Sequence, residues 1–471
     1  MVDARPAVVA SVALVATRLL KDVAINFHTF HFVNKMYLWV LIAGGINSFI
    51  DACGIGANDL ANSFGTTYGS KVLTMTQIVG LASVFEFSGA MLLGAPVTNT
   101  LAGSISNVAF FKSQPYVLMY GMLCALAASS TWLFTATYLG LPVSTTHSIV
   151  GGIMGFSLVY KGVDGVVWNK SIPDFPYVAG FVPIVISWIS SPIISALMSA
   201  GFYSLIKYFI FKSNYAAWRS IHLLPFVVFV TFFVESFFVL SKGAGSKITW
   251  PIETTSWVSI CIATGASLLS ALSIPWLTRK VTDIPVLGDV VTESAVTEYD
   301  PRVEYTFKYL QIFTSICTSF AHGANDVSNA VGPLAAIYYI YQNDAVASKI
   351  DVPLWILALG GSGIVVGLAT YGRKIMEVLG EKITFISPAR GFSAELATAL
   401  VVSFASKYGF PISSTQCITG AVIGISLCDH DLKNVNWRII ARIFLSWIGT
   451  ILVTAGLSAA IFSQGVYSPN I

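Results

Sequence analysis

Charge is what this chain has least of. Asp, Glu, Lys and Arg make up 10% of its 471 residues, hydrophobic residues make up 55%, and the mean hydropathy is +0.74. Soluble domains carry roughly 25% charged residues, so the polar surface that a water-soluble protein of this size needs is missing. The net charge of +3 is spread thinly, which excludes the basic face of a nucleic-acid-binding protein. Cysteines number six, at 53, 124, 261, 317, 417 and 428. They lie mostly in apolar segments without metal-ligand spacing, and read as small core residues rather than disulfides or a zinc site. No low-complexity tail or soluble domain is visible, and no resident cofactor is expected. The apolar stretch 8–16, followed by Arg18 and Lys21, is short for a span and lacks a cleavage site, so a removed signal peptide is not expected.

Apolar runs take the place of charge. Segments centred on 37–52, 78–93, 117–139, 226–240, 257–274, 354–369 and 442–461 are candidates to cross a bilayer. With the Gly- and Pro-broken stretches included, about ten to twelve spans are expected at roughly 20 residues each.

Two phrases occur twice. Gly56-Ala57-Asn58-Asp59-Leu60-Ala61-Asn62 returns as Gly323-Ala324-Asn325-Asp326-Val327-Ser328-Asn329, 267 positions later. Gly140-Leu141-Pro142-Val143-Ser144-Thr145-Thr146-His147 returns as Gly409-Phe410-Pro411-Ile412-Ser413-Ser414-Thr415-Gln416, 269 positions later. Two motifs moving by nearly one distance indicate a duplicated half-protein, which in a membrane protein is the mark of a secondary transporter with its site between the halves. The chain divides into an N-terminal segment 1–35, a first repeat 36–215, intervening spans 216–277, a polar connecting loop 278–304 and a second repeat 305–471. The parity of crossings between the repeats, and hence inversion, does not follow from the span count.

Asp59 and Asp326 are costly in a bilayer, by at least about 2.5–3.5 kcal/mol each at a helix centre. The adjacent glycine is expected to let each helix break, so that carbonyls join Asp59, Asn62, Asp326 and Asn329 in a hard-oxygen cage for a small cation. Helix capping by Asp and Asn is the plainer alternative, weakened by the duplication. Ser144, Thr145, Thr146 and Ser413, Ser414, Thr415 follow a proline and predict two helix starts. Such starts present free N–H and O–H donors and a partial positive charge, which suits a tetrahedral oxyanion held from both sides. Hydroxyl contacts between membrane helices are the alternative. Asn58 and Asn325 are grouped with these substrate contacts. Glu86 and Glu395 are further intramembrane acids, and Glu395 falls opposite Leu126 of the first half, so the halves are chemically unequal. Glu235 also lies in apolar sequence, with no assigned role. Ser144 with His147 admits an intramembrane hydrolase, but that reading gives the second hydroxyl cluster no purpose.

At these residues the sequence resembles the inorganic phosphate transporter (PiT) family. Phe85-Glu86-Phe87-Ser88-Gly89-Ala90 and Gly391-Phe392-Ser393-Ala394-Glu395-Leu396 are also similar to the family's pattern. The resemblance implies an all-α polytopic protein of about twelve transmembrane helices in two inverted repeats, with broken or re-entrant helices at a central site. It also implies a homodimer, symport of phosphate with a coupling cation, and a place in the plasma membrane. By that carry-over Asp59, Asn62, Asp326 and Asn329 fall on cation positions, the six hydroxyls on phosphate positions, and Glu86 and Glu395 on acids linked to transport. Ser414 and Gln416 depart from the family's Thr and His, and the large hydrophilic central loop of many animal members is missing.

Sodium is the expected coupling ion, with a proton relay along the acids as the alternative. Sulfate is the rival substrate, disfavoured where a bare carboxylate faces an anion without a donor. The expected cycle is cation first, then phosphate, then rocking of the halves. A passive anion channel would lack uphill accumulation.

Overall fold

The computed structural model describes residues 5–95, 98, 105–171, 177–242, 250–284, 300–347, 350–408, 412–428 and 435–468, the first 31 of these by backbone alone. Thirteen α-helices account for nearly all of it: α1 (Arg5–Gly69), α2 (Met75–Leu93), α3 (Pro115–Leu139), α4 (Thr145–Lys161), α5 (Phe181–Ile206), α6 (Ala216–Lys242), α7 (Ile252–Thr282), α8 (Pro301–Asn343), α9 (Leu354–Tyr371), α10 (Arg373–Glu381), α11 (Pro388–Lys407), α12 (Ser414–Cys428) and α13 (Trp437–Tyr467). Two-residue strands at Lys170–Ser171 and Val178–Ala179 form a small antiparallel ribbon before α5. Among the described residues eight helices are long and apolar enough to cross a membrane, so the chain is an integral, multi-pass membrane protein. Outside these eight are α8, whose centre carries a repeated polar phrase, α11, and the shorter α4, α10 and α12. Helix reaches into both ends of the polar connection, since α7 runs to Thr282 and α8 starts at Pro301.

The repeats are inverted, and side-chain contacts show how. Ser48 of α1 donates to the Ala330 carbonyl of α8, at 2.9 Å. At the other end of the same interface, Thr67 bonds Ser315 and Ser70 donates to Gln311 Oε1 at 2.8 Å. Residue numbers rise along α1 as they fall along α8, so the two equivalent helices run antiparallel. They cross where the two Gly-Ala-Asn-Asp phrases lie side by side.

The halves also interlock. α1 packs on α9 of the other half, α2 on α8, α4 on α13 and α12 on α5. Each contact has its mirror. A side chain at Gly56 would strike the Ile364 carbonyl, and one at Gly323, its repeat partner, would strike the Glu86 carbonyl. Only a residue without Cβ permits this approach of backbone to backbone.

This overturns one expectation. The helices do not break at the acid phrases, because α1 and α8 run straight through them. The glycines there serve close packing, the carbonyls stay within the helices, and neither Asp is an N-cap. The interruption comes at the hydroxyl phrases. Gly140 ends α3 in the left-handed conformation (φ 68°), and α4 starts afresh after Ser144.

Candidate functional site

Asp59 and Asp326 are fully buried at the α1/α8 crossing. Each accepts a hydrogen bond from the first hydroxyl of its own half's hairpin helix. Thr145 Oγ1 donates to Asp59 Oδ2 at 2.9 Å, and Ser414 Oγ donates to Asp326 Oδ2 at 2.7 Å. The asparagines reach the other way. Asn62 Nδ2 donates to Ser414 Oγ (3.1 Å) and Thr415 Oγ1 (2.9 Å), while Asn329 Nδ2 donates to Thr145 Oγ1 (3.1 Å) and Thr146 Oγ1 (3.3 Å). Acids tie each motif to its own half and asparagines tie it to the opposite one. Thr415 also donates to Asp59 Oδ1 at 3.3 Å, so the second half's hydroxyls touch both acids.

Asn58 holds the turn before α4. Its Nδ2 donates to Thr137 Oγ1 and the Leu141 carbonyl, each at 3.0 Å, and its Oδ1 accepts from the Val143 N–H at 3.0 Å. Asn325 donates to Asp326 Oδ1 (2.8 Å) and to the Ile412 carbonyl (3.4 Å). These two expected substrate contacts thus sit behind the hydroxyl phrases and position them.

Ser144 and Ser413 act as caps. Their hydroxyls accept from the N–H groups of His147 (3.2 Å) and Gln416 (3.3 Å). That leaves Thr145 and Thr146, with Ser414 and Thr415, to present first-turn N–H and hydroxyl groups. All six hydroxyl residues are buried. Gly409, Phe410 and Pro411 of the second phrase lie outside the described residues. The hydrolase pairing does not form, because Ser144 Oγ caps the helix and the His147 ring packs on Trp188, centroids 4.4 Å apart.

One residue at the centre escaped the sequence reading. His322 Nδ1 lies 2.6 Å from Glu86 Oε2, and its Nε2 lies 2.8 Å from Asp326 Oδ2 and 3.6 Å from Asp59 Oδ2. One imidazole therefore joins three buried carboxyl groups. A signal existed, since His322 directly precedes the second Gly-Ala-Asn-Asp phrase and stands one helical turn from Asp326. The duplication hides it, because the first copy has Ile55 at that place. Glu86 is held further by Ser63 Oγ at 3.2 Å.

Glu395 does not join this cluster. It sits on α11 and accepts from Thr66, from Thr67 at 2.7 Å and from Thr314 at 2.8 Å. Thr66 and Thr67 lie on α1 about two turns past Asp59, and Thr314 lies on α8 about three turns before Asp326. Glu235 sits on α6, buried, with Oε1 unpartnered among the described residues.

An ion of oxygen preference has donors here in Asp59, Asp326 and the hydroxyls around them. Asn62 Oδ1 is fully buried and accepts no hydrogen bond among the described residues, an orphan acceptor that a cation would satisfy. Asp59, His322 and Asp326 bring ligand atoms within 4.8 Å of one another.

The sequence profile of the Phosphate transporter family matches residues 55–458, which spans both motif pairs. The chain belongs to that family. It is 39% identical to the chloroplastic inorganic phosphate transporter 2-1 of Arabidopsis thaliana over 433 residues, 87% of this chain and 69% of the plant protein. A putative phosphate permease of Pyrococcus abyssi is 38% identical over 417 residues, covering 87% of this chain and 94% of the archaeal one. Among solved structures, a sodium-dependent phosphate transporter superposes with a TM-score of 0.79 at 35% identity, over 91% of this chain and all of that one. Proteins of this family are transporters and permeases rather than hydrolases.

Proposed function

We propose that this phosphate transporter couples uptake of phosphate to sodium, by alternating access around the α1/α8 crossing. The observation that carries the reading is the reciprocal bracing of one buried site by both halves, with acids and anion-binding helix starts in direct contact. The resemblance in fold to a sodium-dependent phosphate transporter supports the choice of ion.

Order of binding follows from charge. Asp59, Asp326 and Glu86 surround His322, and even a protonated imidazole would balance only one of three carboxylates. A phosphate dianion about 4 Å from an unbalanced carboxylate meets a repulsion of about 4 kcal/mol per charge pair at an effective dielectric of 20. Sodium therefore enters first, between Asp59 and Asp326 with Asn62 Oδ1 and neighbouring hydroxyls as further donors. Phosphate then docks on the starts of α4 and α12, where Thr145, Thr146, Ser414 and Thr415 supply donors. Its own proton gives it a donor for a carboxylate, which sulfate lacks.

The moving unit is not a sequence half, since the halves interlock. The better division sets the bundle of α1, α2, α8 and α9 against the hairpin helices α4 and α12 with their partners α13 and α5. Movement between these bodies breaks the asparagine–hydroxyl braces on one side at a time. Assembly as a homodimer belongs to the same proposal and rests on the family resemblance.

The test is labelled phosphate uptake into proteoliposomes under an inward sodium gradient, and under a proton gradient without sodium. Accumulation with sodium alone is expected. Accumulation with protons alone would overturn the sodium assignment and turn the acids into a relay, and preferential uptake of sulfate would overturn the substrate.

A further inference from the structure

A second buried acid stands on α1. Asp51 is fully inaccessible, and neither of its oxygens has a hydrogen-bond partner among the described residues. The Ser129 hydroxyl of α3 lies close to it but donates to Ser148 Oγ of α4 at 3.0 Å. Phe49, Ala52 and Cys53 beside it are closed over by Gly363 of α9, and Gly54 by Leu133 of α3. An ionised carboxyl without a partner is not sustainable in this setting, so the group must hold a cation or a proton whenever the site is closed.

Its place relative to Glu395 gives it a purpose. Asp51 precedes Asp59 by eight residues, about 12 Å along the helix at 1.5 Å per residue. Thr66 and Thr67, which hold Glu395, follow Asp59 by seven and eight residues, about 11–12 Å in the other direction. The two acids therefore flank the central site at similar depth on opposite sides. The inverted repeat relates their surroundings, because Asp51 stands at the position of Thr318, which bonds the Glu395 carbonyl at 3.2 Å. Both halves thus place an acid between the motif helix and α3 or its counterpart α11, supplied by α1 in one half and by α11 in the other.

Glu395 is ringed by hydroxyls, whereas Asp51 has one hydroxyl in reach. Hard metal cations take about six oxygens or more, and a proton needs one. We propose that Asp51 is a proton-binding carboxyl serving the membrane face opposite the Glu395 cluster. It takes a proton from water while its side is open and carries it, neutral, when that side closes. The proposal rests on the alternating-access reading above. The titratable groups around Asp51 are few. Cys53 and Asp59 lie on its own helix, His147 adjoins Ser148 on α4, Asp326 lies one turn from Ala330 on α8, and α3 and α9 carry no Asp, Glu, His, Lys or Arg anywhere.

The experiment is phosphate uptake by the full-length protein in proteoliposomes at saturating sodium, with pH varied on one face at a time. Wild-type uptake should fall as pH rises on one face only, approaching about tenfold per pH unit, the limit for one proton. Asp51→Asn should remove that limb and keep the sodium dependence. Persistence of the limb in Asp51→Asn, or its absence from the wild type, would overturn the proposal. A second arm covers a variant that does not fold. Infrared spectroscopy of the wild type should show a protonated carboxyl band that shifts in Asp51→Glu, and a spectrum without such a shift would also overturn it. Absence of any sodium-driven uptake in the wild type would strike the symport reading instead, leaving the infrared arm to decide this one.

Discussion

Replacing Asn62 or Asn329 by alanine tests whether the two halves brace the site reciprocally. Each asparagine donates two hydrogen bonds to hydroxyls of the opposite half, at 2.9–3.3 Å. A neutral hydrogen bond contributes about 1 kcal/mol net, so each substitution should weaken the braced, closed state by about 2 kcal/mol. At about 1.4 kcal/mol per factor of ten, the population of that state falls about thirtyfold relative to the open ones. Initial rates of phosphate uptake at saturating sodium should drop correspondingly in both variants. Melting of the detergent-purified protein should shift to lower temperature by similar amounts in the two. The double variant will not show the plain sum, because Ser414 and Asn329 both bond Asp326 and so belong to one network. A further difference separates bracing from ion binding. The orphan Oδ1 of Asn62 makes a rise in the sodium concentration for half-maximal uptake the expected result for Asn62→Ala. An Asn329→Ala protein with wild-type uptake and melting, beside a crippled Asn62→Ala, would refute the reciprocal brace.

Other substitutions have equally definite outcomes. Gly323→Ala should abolish recovery of monodisperse protein on size exclusion, because its Cβ meets the Glu86 backbone, whereas Gly80→Ala in α2 meets nothing and should leave stability unchanged or raise it by up to about 1 kcal/mol. Glu86→Gln should retain the fold but reduce uptake more than about tenfold, since the imidazole of His322 loses the carboxyl that holds it at 2.6 Å. If its uptake matches wild type, His322 does not act through Glu86. Glu395→Gln places an amide among three hydroxyl donors and should lower uptake to a similar degree, with Thr67→Val giving a smaller loss; unchanged rates in both would remove Glu395 from the transport path.

What the sequence disclosed was the part written twice. The paired phrases located the acids and hydroxyls that meet in space, and the hydroxyl phrases did start helices, since Pro142 and a Ser cap are local signals that need no tertiary context. The acid phrases misled on helix breaking. Glycine beside Asp satisfies either a break or a close approach, and only the neighbouring backbone, Ile364 for Gly56 and Glu86 for Gly323, decides between them. The pairing of α1 with α9 and of α4 with α13 was invisible for another reason. Helices apolar on every side carry no stripe to indicate a partner. His322 and Asp51 went unassigned because neither is duplicated, and each owes its meaning to residues far along the chain.

The departures from symmetry are themselves ordered. Glu86 and His322, the pair joined at 2.6 Å, correspond to Ile364 and Ile55 under the repeat, and both isoleucines are fully buried. An acid from the first half and a base from the second meet as a pair, their two counterparts are both apolar, and no position retains half of the pair. That is the pattern expected where a buried acid–base pair and a hydrophobic pair fill equivalent space but a lone buried polar partner is intolerable. A perfectly two-fold transporter would have inward- and outward-facing states of equal intrinsic energy, because each is the other turned over. Joining the Glu86–His322 pair to Asp326 at 2.8 Å, against 3.6 Å to Asp59, removes that equality. The state that leaves His322 dry and tightly paired differs in energy from its inverted counterpart, in which two isoleucines occupy the equivalent place. Under the alternating access proposed above, the duplicated residues build a site that both conformations share, and the unduplicated ones set the bias between the conformations.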